Sequence, residues 1–263
     1  MATIVFLHAH PDDEASSTSG TIALASRAGH RVVVVFGTDG DHGEAPGDLA
    51  EGETVVDRRH LEAERAGQVV GTARVAWLGY SDSGMQGWEA NDNPGCFHRA
   101  DLDEAAARLA AILDEEDADV LVGYDWHGNY GHPDHLKVHP VAYRAATLAK
   151  RRPRVLEATM NRDAGRALRD GLIAQGVPDP GWDPDGPGDD GNGLGMPEAQ
   201  IHFRVDVASV IERKREALAC HASQTSDVGM MLSMPEGLFR EFFGVEWYRE
   251  HGRPIGMTDG LPF

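Results

Sequence analysis

The chain has few cysteines, few lysines and no long apolar run. Only Cys96 and Cys220 occur among its 263 residues, which excludes a disulfide framework and a C-x-x-C thiolate metal site. No apolar run approaches the roughly 20 residues that span a bilayer. Residues 1–7 lack the basic region and cleavage site of a signal peptide and pass directly into an apolar run. We therefore expect a cytoplasmic protein with no membrane partner, in which histidine and carboxylate hold any metal.

Positive charge is also scarce. The 24 lysines and arginines, of which only three are lysines, face 43 aspartates and glutamates, giving a formal net charge of −19. Because binding to a polyanion requires clustered lysine and arginine, we expect no nucleic-acid partner. With 41% apolar and 25% charged residues, the composition is that of a globular protein, and the length suits one sizeable core.

The first two thirds of the chain alternate between short apolar runs and helical patterns. The apolar runs cover residues 3–7, 31–36, 75–78, 120–124 and 155–160, and the helical patterns cover 14–28, 54–70, 102–115, 133–149 and 164–175. This βαβα order predicts an α/β fold: a doubly wound, mostly parallel, Rossmann-like sheet with helices on both faces, in a single domain over residues 1–263. Ligands of such sheets bind beyond the carboxyl ends of the strands.

The last third is less regular. Residues 176–197 are rich in glycine, proline and aspartate, and they lack the spacing of an EF-hand calcium loop. We expect a mobile surface loop there that can act as a lid. A strand over residues 201–207 and a helix over 207–220 follow. The apolar residues of the tail, between Met230 and Tyr248, are expected to pack rather than to recognise a ligand.

The stretch His10-Pro11-Asp12-Asp13-Glu14 directly follows the first apolar run. Three adjacent carboxylates repel one another, so their burial requires a compensating cation. His10 and Asp13 lie three residues apart across a strand-to-helix turn, where both side chains can converge on one metal ion. Asp12 would point elsewhere and be free to act on water at that metal. The alternative interpretation of Asp13 and Glu14 is an exposed acidic helix N-terminus.

A second motif, His132-Pro133-Asp134-His135, follows the apolar run 120–124 after a short loop. Pro133 suits the first turn of a helix, where its missing N–H is no loss. His132 would then cap this helix, and His135 would lie one turn inside it. Because parallel strands end at the same edge of a sheet, His135 is expected near the first motif.

Two imidazoles and one carboxylate, from His10, His135 and Asp13, leave a fourth metal position for water, as catalytic zinc sites do. These ligands favour zinc, with another divalent ion such as Fe²⁺ as the alternative. His139 has the i, i+4 spacing from His135 of a helical metal pair, but it lies deeper along the helix, so we expect it to support a ligand or to pack in the core. His8 is expected to be a buried, hydrogen-bonded histidine.

The two motifs resemble the hallmark pair A-H-P-D-D-E and H-P-D-H of the PIG-L/LmbE-like deacetylase family, here residues 9–14 and 132–135. Further stretches resemble the actinobacterial mycothiol-pathway branch: Arg59-x-x-Glu62, Leu78-Gly79 followed by Asp82-Ser83-Gly84-Met85, and Arg213-Lys214 followed by His221-x-Ser223-Gln224. The resemblance implies an LmbE-like α/β fold. It also implies zinc-dependent removal of acetyl, by a metal-activated water, from N-acetylglucosamine derivatives such as GlcNAc-inositol.

Carried over by position, the resemblance implies four kinds of site residue. These are metal ligands His10, Asp13 and His135, a general base Asp12, oxyanion donors His132 and Tyr130, and substrate contacts Arg59 and Asp82. The last two also have ordinary interpretations, as a helix-surface arginine and a turn aspartate. The implied partner is a small amino-sugar amide, and the sequence does not indicate an oligomeric state.

Several other functions stay open. A mycothiol S-conjugate amidase is disfavoured because that branch carries lysine at the position of Ser17. A deacetylase of a glycosylated natural product would keep the same chemistry. A dinucleotide oxidoreductase needs glycines after the first strand, where this chain has three carboxylates that would repel pyrophosphate. A sugar-binding or metal-storage protein would have no use for a complete set of ligands, base and donors.

Overall fold

The computed structural model describes residues 1–177 and 182–263. The strands are β1 (Thr3–His8), β2 (Arg31–Thr38), β3 (Arg74–Tyr80), β4 (Val120–Tyr124), β5 (Arg154–Thr159), β6 (Phe203–Asp206), β7 (Val245–Arg249) and β8 (Thr258–Asp259). The helices are α1 (Asp13–Ser17), α2 (Ser19–Arg27), α3 (Val55–Val70), α4 (Leu102–Glu115), α5 (Pro133–Leu148), α6 (Arg162–Ala174), α7 (Ile211–Cys220), α8 (Asp227–Ser233) and α9 (Glu236–Phe243). Within these ranges, no helix is long and apolar enough to cross a membrane.

The strands form one sheet in the order β3-β2-β1-β4-β5-β7-β6-β8. Strands β1 to β5 are parallel, whereas β7 is antiparallel to both β5 and β6. The chain winds outward from β1 to β3 and then returns to β4 on the other side of β1. The carboxyl ends of β1 and β4 therefore flank the switch point at which doubly wound sheets bind ligands. The predicted mostly parallel, doubly wound α/β fold is confirmed.

The central strands are covered on both faces. Helices α2, α3 and α7 pack together on one side, and α4 packs against α5 on the other. Val32, Val33, Val34 and Val35 in β2 are each at most 1% exposed. A strand buried on both faces has no polar side, which is why these strands are visible in the sequence as continuous apolar runs. Burial of each such side chain contributes about 1.5–3 kcal/mol.

Several elements differ from the predicted ones. The helix predicted over residues 14–28 is interrupted at Thr18, whose hydroxyl contacts His8 Nε2 at 3.0 Å. The strand predicted over 201–207 is shorter, and a 3-10 turn at Ala208–Val210 precedes α7. Strands β7 and β8 and helices α8 and α9 are not among the predicted elements, because such short segments show little periodicity. The expected packing of the tail holds for Phe239 and Tyr248, which are buried.

Residues 182–197 lie against the loop that follows β4. The backbone N–H of Asp189 donates to the Tyr130 carbonyl at 2.7 Å, and that of Gly195 donates to the Asn129 carbonyl at 2.7 Å. The Arg162 guanidinium donates to backbone carbonyls of the same segment. Residues 178–181 of the predicted lid lie outside the described residues, and the mobility of the loop stays a prediction.

Candidate metal centre and active site

The first motif forms a tight turn between β1 and α1. The His10 backbone N–H donates to Asp13 Oδ2 at 2.8 Å, which holds the Asp13 carboxylate close to the end of β1. Within this turn Asp12 has φ 125°. A residue with a Cβ adopts such a conformation at a cost of about 1–3 kcal/mol. The turn therefore directs Asp13 and Asp12 to different partners, at the expense of backbone strain.

The rings of His10 and His135 both direct a nitrogen at Asp13. His10 Nδ1 lies 3.5 Å from Asp13 Oδ2, and His135 Nε2 lies 3.3 Å from the same oxygen. The opposite nitrogens have other partners, since His10 Nε2 donates to Asp134 Oδ2 at 3.2 Å and His135 Nδ1 donates to the Gly128 carbonyl at 3.2 Å. In a neutral ring with these partners, the nitrogen that faces the Asp13 carboxylate would carry a lone pair.

Two such ring nitrogens and a carboxylate oxygen can share one positive charge, either a proton on His10 or a metal ion that replaces it. A tetrahedral metal with bonds of about 2.0–2.1 Å holds neighbouring ligand atoms about 3.3–3.4 Å apart. The separations of 3.3 and 3.5 Å at Asp13 Oδ2 match that spacing. The donor types and these two separations are therefore compatible with a divalent cation, whereas Asp13 does not belong to the sets of ligand atoms that all lie within 4.8 Å of one another among the described residues.

His132 is the other candidate ligand, because one ring nitrogen from each of His10, His132 and His135 lies within 4.8 Å of the others. His132 caps α5, and its Nδ1 accepts the backbone N–H of Asp134 at 3.2 Å. Burial, reinforced by His10 and His135, lowers the pKa of His132 to about 3. The neutral ring therefore carries its proton on Nε2, which can donate but cannot ligate. This favours Asp13 as the third ligand.

The carboxylates around His10 stabilise positive charge. Burial by itself would lower the pKa of His10, but Asp82, Asp13 and Asp134 raise it well above its usual value. Burial would raise the pKa of Asp13, but His135 and His10 hold it well below its usual value. Asp82, which is 6% exposed, lies 3.4 Å from His10 Nε2. Asp82 also belongs to a second, overlapping set of potential ligands with His10, His132 and Asp134.

Asp134 is a site residue that the sequence prediction misses. Its Oδ2 accepts from His10 Nε2 and, at 2.8 Å, from the backbone N–H of Ser83, while Oδ1 accepts from that of His98 at 2.7 Å. Asp134 therefore orients the His10 ring and joins α5 to the loops after β3. Carboxylates commonly support metal-binding histidines in this way. Its position between the two histidines of the second motif is the signal in the sequence.

Asp12 is turned towards Arg59 of α3. Arg59 Nη2 donates to Asp12 Oδ2 at 2.9 Å, and Arg59 Nη1 donates to the Gly40 carbonyl at 2.9 Å. Arg59 also donates to the Pro11 carbonyl and is only 3% exposed, so it is not a helix-surface arginine. Desolvation raises the pKa of Asp12 to about 6, although Arg59 lowers it. This value suits a group that exchanges protons near neutral pH.

The loop between β4 and α5 supplies Tyr130. Its hydroxyl lies 3.4 Å from His135 Nε2. Burial and the charge of Asp13 raise the pKa of Tyr130 well above its usual value, so the phenol stays protonated. Gly128 has φ 63°, and a Cβ built there would lie 2.4 Å from the Cβ of His135. Only glycine lets this loop approach α5 so closely.

The remaining histidines near the site have other partners. His8 is buried, with its ring nitrogens 2.9 Å from the Tyr124 hydroxyl and 3.0 Å from the Thr18 hydroxyl, which confirms the predicted packing role. His139 Nδ1 donates to the Tyr124 carbonyl at 3.1 Å, so it supports the loop after β4. His127, in the loop between β4 and α5, is fully buried and contacts the Gly195 carbonyl at 3.1 Å.

Known proteins resemble the chain in sequence and in fold. Residues 5–146 match the family model PIG-L, GlcNAc-PI de-N-acetylase. A 1D-myo-inositol 2-acetamido-2-deoxy-alpha-D-glucopyranoside deacetylase of Thermobifida fusca is 34% identical, with 93% of this chain and 91% of that protein aligned. A protein of the same name from Saccharomonospora viridis is 36% identical over 98% of this chain and 100% of its own length. The N,N'-diacetylchitobiose deacetylase of Pyrococcus horikoshii shares the fold, with a TM-score of 0.58, 21% identity and coverage of 95% and 82% of the two chains.

The fold and the His/Asp cluster, taken with these relatives, define the chain as a hydrolase of the deacetylase class. It belongs to the PIG-L family. PIG-L deacetylases are metal-dependent, and the cluster at the carboxyl ends of β1 and β4 can hold the ion.

Proposed function

We propose that the protein is a zinc-dependent deacetylase that hydrolyses the acetamide of N-acetylglucosaminyl-inositol. The observation that carries the proposal is the convergence of His10 Nδ1 and His135 Nε2 on the Asp13 carboxylate, with Asp12 adjacent to Asp13 in the chain. His10, Asp13 and His135 would hold the ion. Nitrogen and oxygen ligands favour zinc, with Fe²⁺ as the alternative. The substrate class follows from relatives that are named for it and align along nearly the whole chain.

Asp12 is the proposed general base. Bound zinc supplies a Lewis acid and makes water at the site more acidic. Asp12 takes the proton of the attacking water, and the same carboxyl later returns a proton to the leaving amine, which is too basic to depart unprotonated. A pKa of about 6 suits both transfers. His132, with a pKa of about 3, has no spare proton for the amine at neutral pH.

His132 and Tyr130 are the proposed oxyanion donors. At pH 7 the His132 ring is neutral, because its pKa is low, and it keeps one N–H. The Tyr130 phenol keeps its proton, because its pKa is raised. Each can therefore donate to the oxygen that gains charge as water attacks the amide. Each donor of this kind commonly lowers the activation free energy by about 3 kcal/mol.

Asp82 and Arg59 are the proposed substrate contacts. The proposed substrate is a small amino-sugar amide, and the proposed location of the enzyme is the cytoplasm. Asp82 is the better placed of the two, because it lies beside His10, whereas Arg59 is engaged with Asp12 and the Gly40 carbonyl. Contact between Arg59 and the substrate would require the guanidinium to share or exchange these bonds.

The test is release of free amine from N-acetylglucosaminyl-inositol by the zinc-loaded protein. Free N-acetylglucosamine, a mycothiol S-conjugate and an acylated glycosylated natural product complete the panel. We expect the highest kcat/KM for the inositol glycoside. Preference for the S-conjugate would move the assignment to the amidase, and absence of amine from every substrate would overturn the hydrolytic function.

Asp12→Asn tests the division of roles at the centre. The variant keeps the shape of the side chain but has no base, so kcat should fall about 10²–10⁴-fold. Elemental analysis should still find one zinc ion per chain. Loss of zinc from this variant would instead make Asp12 a ligand.

A further inference from the structure

Two buried charged side chains beside the centre have no part in the proposed reaction. Glu14 belongs to α1 and is 2% exposed, and His221 directly follows α7 and is fully buried. Glu14 Oε1 and His221 Nε2 are 2.7 Å apart. His221 Nδ1 has no hydrogen-bond partner among the described residues. The His221 ring is therefore committed to Glu14.

The other oxygen of Glu14 holds the backbone of Asp12. Glu14 Oε2 accepts the Asp12 backbone N–H at 3.0 Å. On the other side of the residue, the Asp12 carbonyl accepts the backbone N–H of Ala15 at 3.0 Å and of Ser16 at 3.2 Å. Between these bonds Asp12 keeps φ at 125°, a value that a residue with a Cβ leaves when it is free to relax. This N–H is partly buried, so loss of the Glu14 carboxylate without a replacement acceptor would cost free energy.

We propose that Glu14 and His221 are positioning residues for Asp12, linked in the chain His221–Glu14–Asp12. His221 fixes the Glu14 carboxylate, Glu14 fixes the strained Asp12 backbone, and Asp12 thereby presents its own carboxylate to the centre. The inference rests on the proposed function, in which Asp12 is the general base. Neither Glu14 nor His221 hydrogen-bonds to His10 or His135 in the described part of the chain, so their hydrogen-bonded route to the centre runs through Asp12.

An ordinary structural role is the competing explanation. The pair joins α7 to α1, and a pair that does only this would change stability and leave turnover by the folded enzyme unchanged. A positioning role changes kcat while substrate binding and metal content stay constant. The two explanations therefore differ in the split between kcat and KM.

The experiment compares zinc-loaded wild type with Glu14→Ala and Glu14→Gln. We expect Glu14→Ala to lower kcat at least about tenfold, with KM within about threefold and one zinc ion per chain, because an interaction that serves the transition state affects kcat. Glu14→Gln should recover most of the activity, since its amide oxygen can still accept the Asp12 N–H. Unchanged kcat in folded, zinc-loaded Glu14→Ala would overturn the proposal, as would a rise in KM alone.

A double-mutant cycle tests the link through Glu14. His221→Ala should lower kcat. At a pH where Asp12 is fully ionised, so that the direct charge effect of His221 on its pKa does not matter, the double variant with Glu14→Ala should be no slower than Glu14→Ala by itself, because the hydrogen bonds of His221 reach Asp12 through Glu14. Additive losses would show that His221 acts on its own and would contradict the proposed chain.

The chain also offers a matched control on the same helix. Lys214 of α7 and Glu246 of β7 form a second buried ion pair at 2.6 Å, and its hydrogen-bond partners do not include Asp12. Glu246→Gln should lower Tm but leave kcat unchanged. If kcat fell as much in Glu246→Gln as in Glu14→Ala, general destabilisation would explain both losses, and the positioning role would be contradicted.

Crystal structures of the variants separate the inference from the proposed function. In Glu14→Ala we expect Asp12 to leave φ near 125°, and in Glu14→Gln to keep it. An unchanged Asp12 backbone in Glu14→Ala would overturn the positioning role, whatever the substrate. Failure of the wild type to release amine from N-acetylglucosaminyl-inositol would overturn the proposed function, while the backbone comparison would still test the inference.

Discussion

At the scale of single residues, Asp12 has contacts that fix both its shape and its charge. Arg59 holds its carboxylate at 2.9 Å, and Glu14 holds its backbone N–H at 3.0 Å. Desolvation raises the pKa of Asp12 to about 6, and the nearby Arg59 limits that rise. Arg59 therefore lowers the pH above which Asp12 is ionised and able to accept a proton.

Arg59→Met should shift the acid limb of the pH–rate profile. Asp12 must be ionised to act as base, so activity rises as pH passes its pKa. Because Arg59 lowers that pKa, its removal raises the pKa and moves the acid limb of kcat/KM to higher pH. The measurement is kcat/KM between pH 5 and pH 9, with zinc content checked at each pH. If Arg59 only contacted substrate, KM would rise and the limb would stay in place.

At the scale of elements, the loop after β2 is fastened to the segment after α7. Both backbone N–H groups of Thr225 and Ser226 donate to the Glu44 carboxylate, at 3.1 and 2.8 Å. Gln224 contacts the same loop, since the Glu44 backbone N–H donates to Gln224 Oε1 at 3.0 Å. The loop packs tightly against Arg59 and Gln224. A Cβ built at Gly43 would lie 2.5 Å from Arg59 Nη1 and 2.7 Å from Gln224 Oε1.

Glu44→Gln should remove part of the dependence of stability on pH. Hydrogen bonds from Ser226 and Thr225 lower the pKa of Glu44 from 4.5 to about 2. A carboxylate with a depressed folded-state pKa stabilises the fold above its unfolded pKa, and this stabilisation is lost as pH falls through the folded value. The free energy of unfolding should therefore differ between wild type and variant at pH 7 and converge near pH 2.

Urea unfolding at a series of pH values measures this difference. Glu51→Gln, an exposed glutamate in the same loop, is the control and should follow the wild type throughout. A constant gap between wild type and Glu44→Gln from pH 7 to pH 2 would show that the hydrogen bonds, and not the charge, account for the stabilisation.

At the scale of the whole molecule, the candidate metal centre lies between the two halves of the sheet. His10 and Asp13 follow β1, and His135 lies in α5 after β4, so an ion held by all three would cross-link the switch point. Asp13, Asp82 and Asp134 lie buried or nearly buried around this point, in a chain of net charge −19. A cation bound there would offset their repulsion as well as serve the proposed reaction.

Removal of metal should therefore lower Tm as well as activity. A ligand that binds only the folded state at about 1,000 times its Kd stabilises it by about 4 kcal/mol. Calorimetry of chelated protein should show a lower Tm that zinc restores. His135→Ala should show no response to zinc. A Tm and an activity that both survive exhaustive chelation would contradict the metal centre.

Much of the fold is determined by the sequence itself. Strands β1 to β5 could be located because both faces of each are covered, which requires continuous apolar runs such as the four valines of β2. The first helix was predicted without its break at Thr18, because the bond from Thr18 to His8 joins parts of the chain that local periodicity does not relate. The antiparallel edge with β7 depends likewise on pairing with distant strands.

The sequence by itself brings together the predicted ligands, because His10 and Asp13 are neighbours in one motif and the ends of β1 and β4 must meet at one edge of a parallel sheet. Only the tertiary structure decides which atoms face one another. It turns Asp12 towards Arg59, places Asp134 behind His10, and brings His221 to Glu14 across most of the chain. Hydrogen bonds of this kind depend on ångström-scale distances between packed elements, and a one-dimensional pattern of residue types does not contain those distances.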